Sequence, residues 1–191
     1  MAVIGVFGGS FNPVHLGHIA IAEGVVRSGF ADEVWLTLSP LNPLKAGSSD
    51  LAPDADRLAM LRLAAEGHPG VGVCDIELSM PRPSYSINTL RELSSRYPDD
   101  RFRLVIGGDN WSLFDRWREH DAIIRDFAPV IYPRPGEEPG DVPAGVDVCR
   151  GLPLMDVSGT MVRRRVAAGQ PVNNLVPPQV YKYIIDHKLY L

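Results

Sequence analysis

Short apolar runs alternate along this chain with longer segments in which apolar residues recur every three or four positions. The runs predict strands at 3–7, 33–39, 71–78, 102–106, 128–132 and 146–149. The longer segments predict helices at 16–27, 55–66, 86–96, 111–118, 159–168 and 178–187. Strand and helix alternate almost throughout, the pattern of βαβ units. We therefore expect an α/β fold: a Rossmann-like, doubly wound, mainly parallel sheet with helices on both faces. The last helix carries Val180, Tyr183, Ile184 and Leu189 on one side, so it should dock on the body as a short C-terminal helical extension. Ligands of such sheets bind beyond the carboxyl ends of the strands, where strand order reverses. Gly8-Gly9 closes the first strand and Gly107-Gly108-Asp109 follows a later one, so both should line one crevice.

Two stretches break the alternation. Residues 40–54 are rich in Pro, Ser, Gly and Asp, and 133–145 hold four prolines and three glycines. Loops this long in a compact domain are often functional. No repeat or linker divides the 191 residues, so 1–191 is expected to be a single domain. The net charge of −4 argues against general nucleic-acid binding, which needs a basic face. Cys74 and Cys149 lie outside any C-x-x-C spacing, which disfavours a disulfide framework or structural zinc. No apolar run approaches the ~18 residues of a membrane span, and the first run lacks a basic leader. A cytoplasmic enzyme with no membrane partner is the expectation. A homo-oligomer is compatible with these features.

The chemistry concentrates in Gly8-Gly9-Ser10-Phe11-Asn12-Pro13-Val14-His15-Leu16-Gly17-His18, between the first strand and first helix. Glycines let backbone approach a ligand closely, and a helix start favours anions. Two histidines at i and i+3 complete a polyphosphate site. The dinucleotide fingerprint G-x-G-x-x-G is absent, which disfavours hydride transfer. Zinc ligation by His15 and His18 and simple helix capping are the other readings. Further on, Ser158 is a good N-cap for a helix whose Arg163 can reach a phosphate, or else the segment is a capped surface helix. Ser86 caps a helix after Tyr85. Asp109, at a strand end, suits two ribose hydroxyls, and Trp117 suits either stacking on a ring or core packing. Lys45 and Arg134 fit phosphate ligands or solvated charges. Arg57 reads as a scaffold residue.

The first segment closely resembles the signature of the nucleotidylyltransferase superfamily, whose core H-x-G-H is here His15-Leu16-Gly17-His18. Its lead-in is similar to that of bacterial nicotinate-nucleotide adenylyltransferases. Asp156-Val157-Ser158-Gly159-Thr160-Met161-Val162-Arg163 resembles the family's I-S-S-T-x-x-R, with Gly159 in place of a serine. Ser84-Tyr85-Ser86-Ile87-Asn88-Thr89-Leu90 resembles S-Y-T-x-D-T-L, with Ser86 and Asn88 departing. Gly107-Gly108-Asp109 with Trp117 resembles G-A-D followed by Trp, Leu44-Lys45 stands where the family often has His-Lys, and Arg134-Pro135-Gly136 resembles R-P-G.

The resemblance implies transfer of AMP from ATP to nicotinate mononucleotide, giving deamido-NAD and pyrophosphate, with Mg²⁺ carried on ATP. It implies that His15 and His18 are catalytic, with a protonated His18 best suited to the leaving pyrophosphate. It places ATP on Gly8, Gly9, Ser10, Phe11, His15, His18, Ser158, Thr160 and Arg163. It places the mononucleotide on Asn12, Lys45, Tyr85, Ser86, Asp109, Trp117 and Arg134. Alternatives are the same chemistry on nicotinamide mononucleotide or another phosphorylated acceptor, and a non-catalytic nucleotide-binding module.

Overall fold

Six strands form the sheet: β1 (Val3–Gly9), β2 (Glu33–Leu38), β3 (Val71–Cys74), β4 (Arg101–Gly107), β5 (Val130–Tyr132) and β6 (Asp147–Val148). In this computed structural model, which describes residues 1–41, 51–133, 139–152 and 155–191, their order is β3-β2-β1-β4-β5-β6. Every neighbouring pair is parallel. Strand order therefore reverses between β1 and β4, the expected place for a ligand crevice.

The period-two alternation of β1 splits it between two cores. Phe7 joins the cluster on one face, with Val25, Leu36, Met60 and Ile184. Ile4 and Val6 join the other, with Ile87, Leu90, Leu104 and Ile123. The first face is covered by α1 (Leu16–Arg27), α2 (Asp54–Ala65), α6 (Gly159–Ala167) and α7 (Pro178–Asp186), the second by α3 (Ser86–Arg96) and α5 (His120–Phe127). The remaining helix, α4 (Gly108–Trp111), is a single turn. As its apolar spacing predicts, α7 docks: Val180 and Ile184 are fully buried, and Tyr183 donates to Asp56 Oδ1 at 2.9 Å.

Three expectations are corrected. The helix expected over 111–118 is absent; α4 ends at Trp111 and a 3-10 turn spans Phe114–Arg116. α5, which the periodicity did not predict, begins after Glu119 in the left-handed region at φ 53°. The strand expected over 71–78 stops at Cys74, and Ile76–Ser79 wind into a second 3-10 turn.

Candidate active site

At the carboxyl end of β1, Gly8 is exposed and a Cβ placed there would meet nothing within 4 Å. Bare backbone thus faces the crevice. The chain then turns through Phe11, at φ 42°, a left-handed conformation that a bulky residue adopts only when its surroundings impose it. Burial imposes it here: Phe11 is 2% exposed and packs edge-on against Phe7 and His18, at 6.0 and 4.9 Å between ring centres. The turn is pinned by Arg57 of α2, whose side chain is wholly buried. Arg57 donates to the carbonyls of Ser10 (2.6 Å), Ser39 (3.0 Å) and Ala52 (3.0 Å) and pairs with Asp54. One guanidinium thereby ties the β1 and β2 exits to the start of α2, confirming its scaffold role.

His15 caps α1 with extended backbone, and His18 occupies the third helical position. The His18 ring accepts the His15 backbone N–H at Nδ1 (3.1 Å), while His18 N–H returns to the His15 carbonyl (2.9 Å). The two imidazoles stack at 3.6 Å. An Nδ1 that accepts carries no proton, so the neutral ring holds its proton on Nε2. Gly17 between them is required by space: a Cβ would stand 2.9 Å from Val157 and 3.1 Å from the His15 ring. One N–H at this helix start is already used, since Leu16 donates to the Leu175 carbonyl at 2.9 Å.

The second motif meets the first. Ser158 caps α6, its Oγ accepting from Met161 N–H at 3.2 Å, as its sequence context predicts. Arg163 of α6 donates to the Asn12 carbonyl at 2.8 Å. Gly159 lies so close that a Cβ would be 2.7 Å from the same carbonyl oxygen. The departure from the family serine therefore coincides with a close approach of the α6 start to the Asn12 loop. Thr160 is exposed on the first turn of α6.

A cleft opens beside this junction, between the ends of β1 and β4. Gly8, Gly9 and Gly107 form its backbone wall, and Tyr85, Ser86 and Trp117 line the far side. Asn110 lines it as well, with Asp109 adjacent at the start of α4. Trp117 is brought in by the 3-10 turn, its ring 5.4 Å from Phe114. Lys45 and Arg134 lie outside the described residues.

Sequence reading missed three side chains here. Arg116 and Arg118 flank Trp117 and line the cleft, Arg118 with its guanidinium carbon 5.1 Å from the Tyr85 ring centre. Glu77 lines it too, only 5% exposed, and accepts from Thr89 Oγ1 at 2.8 Å. Burial pushes the Glu77 carboxyl up from the ordinary 4.5, with the Thr89 hydroxyl opposing. A cleft lined by two arginines favours an anionic ligand. The arginines were hidden because the expected helix gave their positions no reason to face inward.

Residues 6–165 match the cytidylyltransferase-like family. A relative from Bacteroides fragilis, named "Probable nicotinate-nucleotide adenylyltransferase", is 43% identical over 184 residues, covering 95% of this chain and 90% of the relative. The chain belongs to the nicotinate-nucleotide adenylyltransferase family. Another family member, from Salinibacter ruber and of the same name, is 41% identical over 192 residues, covering 98% and 97%. Among solved structures, the Plasmodium falciparum nicotinic acid mononucleotide adenylyltransferase complexed with NaAD superposes with a TM-score of 0.80 at 17% identity, covering 100% and 98%. That likeness carries the fold, and the enzyme class rests on the sequence relatives.

Proposed function

We propose that this family member transfers AMP from ATP to nicotinate mononucleotide, giving deamido-NAD and pyrophosphate. The observation that carries this reading is the junction at Asn12, where the histidine-bearing loop and the Arg163 helix meet, beside a cleft lined by Tyr85 and Trp117. The acceptor's 5′-phosphate attacks the α-phosphorus of ATP in line, its oxygen forming the new P–O bond as the bond to pyrophosphate breaks. The attacking group is already an anion, so the protein supplies position and charge stabilisation rather than a nucleophile.

In this reading ATP lies along Gly8, Gly9, Ser10 and Phe11, with its phosphates between the histidines and the Ser158, Thr160 and Arg163 end of α6. His18 donates from Nε2 to the leaving pyrophosphate, since its Nδ1 is engaged by the cap. The mononucleotide occupies the cleft, with its ring on Trp117, its carboxylate at the backbone after Tyr85 and beside Ser86, and its ribose at Asp109. Asn12, Lys45 and Arg134 are assigned to its phosphate. Mg²⁺ enters as part of the ATP substrate: the groups at the junction are imidazole, guanidinium and backbone N–H, which hold anions, so the cation rides on nucleotide oxygens and water. Its substrates and two free thiols suit the cytoplasm.

Pyrophosphate release with ATP and a panel of nicotinate mononucleotide, nicotinamide mononucleotide, phosphopantetheine and FMN tests the reading. Fastest release with the nicotinate nucleotide is expected. Equal rates with both pyridine nucleotides remove the acid preference, and no release with either removes the function.

A further inference from the structure

Arg118 directly follows Trp117 and lines the cleft with it. Its guanidinium carbon stands over the Tyr85 ring, 5.1 Å from the centre, and Tyr85 is the residue that caps α3. Attraction between cation and ring holds the charged head at this edge of the cleft. The contact leaves the N–H donors, which lie in the guanidinium plane, for another acceptor. The adjacent acid does not take them. Arg118 Nε is 3.9 Å from Glu119 Oε1, beyond hydrogen-bond distance. Glu119 belongs instead to Arg91, whose Nη1 and Nη2 donate to Oε1 and Oε2 at 3.2 and 2.7 Å. Among the described residues no hydrogen bond claims the Arg118 head. A cation fixed in place with its donors unspent thus stands where the Tyr85 segment meets the Trp117 turn.

We propose that Arg118 is a specificity residue that pairs with the carboxylate on the pyridine ring of the acceptor and so favours the acid over the amide. The inference rests on the adenylyl transfer proposed above, which sets that carboxylate at the backbone after Tyr85 and the ring on Trp117. The residue that stacks the ring and the residue that reads its substituent are then sequence neighbours. A planar guanidinium meets a carboxylate as a fork, with two parallel hydrogen bonds and opposite charge. A carboxamide offers one oxygen, carries no charge and turns an NH₂ toward the cation. The other charged residues lining the cleft do not make this selection. Glu77 repels an acid when ionised, and its Oε1 already accepts from Thr89. Arg116 has no ring contact among the described residues, so it adds positive field without a fixed direction.

The test is steady-state pyrophosphate release with nicotinate and nicotinamide mononucleotides at saturating ATP. It compares the unmodified enzyme with Arg118→Gln, Arg118→Lys and Arg116→Gln. An exposed ion pair is worth up to about fivefold, and a hydrogen bond to a charged group about tenfold or more. The Arg118 side chain is 57% exposed, so the low end of the second range applies. Arg118→Gln should lower kcat/KM for the nicotinate nucleotide about tenfold, mainly through KM. It should change kcat/KM for the nicotinamide nucleotide less than about twofold and leave KM for ATP unchanged. Arg118→Lys keeps the charge and loses the fork, so it should recover part of the preference. Arg116→Gln should cost the acid less than about threefold. A preference that survives Arg118→Gln overturns the inference and leaves the transfer reaction standing. So do equal losses with both nucleotides, which put the guanidinium on a group they share, and equal effects of Arg116→Gln and Arg118→Gln. Equal use of both nucleotides by the unmodified enzyme overturns it with the acid preference, and no turnover of either overturns it with the function.

Discussion

Replacing Arg57 by methionine should be among the costliest single changes in this protein. The side chain is 0% exposed and serves three backbone carbonyls, those of Ser10, Ser39 and Ala52, besides Asp54. Asp54 keeps a second cation, Arg82 at 2.8 Å, and is 31% exposed, so it is not stranded. The loss falls on the carbonyls. Each buried acceptor without a partner costs ~1–3 kcal/mol, and the upper sum is not reached because water can follow the vacated guanidinium. A net loss of ~3–5 kcal/mol is expected, the range seen when one member of a buried charged pair is removed. For a chain of this size that lowers Tm by roughly 10 °C. Arg57→Lys keeps the charge but not the planar fork that reaches carbonyls in different directions, so it should recover only part of the loss. Urea and thermal unfolding of the two variants measure the effect. A loss below about 1 kcal/mol for methionine refutes the argument that Arg57 is the anchor of the β1 exit.

His18→Asn retains an acceptor for the His15 N–H and removes the Nε2 donor, so kcat should fall on the order of 10²–10³ with little change in unfolding temperature; a loss under tenfold sinks the assigned role. Glu77 binds its proton more tightly folded than unfolded, so its contribution favours folding at low pH and is lost as pH rises above about 4.5. Glu77→Gln, which preserves an acceptor for Thr89, should therefore raise Tm at pH 8 and leave it unchanged at pH 4; a constant difference at both pH values shows that charge is not the cause. Trp117→Ala should raise KM for the mononucleotide more than that for ATP in steady-state assays, and equal changes would place the ring outside the acceptor subsite.

Elements with both a terminus signal and a clear period were legible in the sequence. The bounds of α1 and α3 coincide with those expected, and β1 and β4 do so within two residues at each end. The error at 111–118 has a physical source. Trp111, Phe114 and Trp117 recur at every third position, which satisfies an α-helical stripe but also eclipses side chains in a 3-10 turn. The rings do stack along that spacing, Trp111 on Phe114 at 4.7 Å. The overlong strand at 71–78 arose because Val71, Val73, Ile76 and Leu78 are apolar at near-alternate positions; Ile76 is buried as expected, but from a turn. At the site, residues with a motif behind them could be singled out by type, but the contact of Arg163 with the Asn12 carbonyl was not foreseen. Glu77, Arg116 and Arg118 carry no pattern, since a charged residue in one sequence looks the same whether it faces solvent or a cleft. Tyr190, whose hydroxyl bonds to the Asn12 side chain at 2.8 Å, was equally silent, because that partner lies at the far end of the chain.

The long-range bonds at Asn12 set the order in which this protein becomes competent. Asn12 is made early in synthesis, whereas Arg163 and Tyr190, 151 and 178 positions later, come near the end. The β1–α1–β2 unit can fold from contacts close in sequence, but its Asn12 loop must wait for partners whose closure is slow on account of that distance. An incomplete chain therefore displays Gly8, Gly9, His15 and His18 before the Arg163 and Tyr190 contacts that tie the Asn12 loop down.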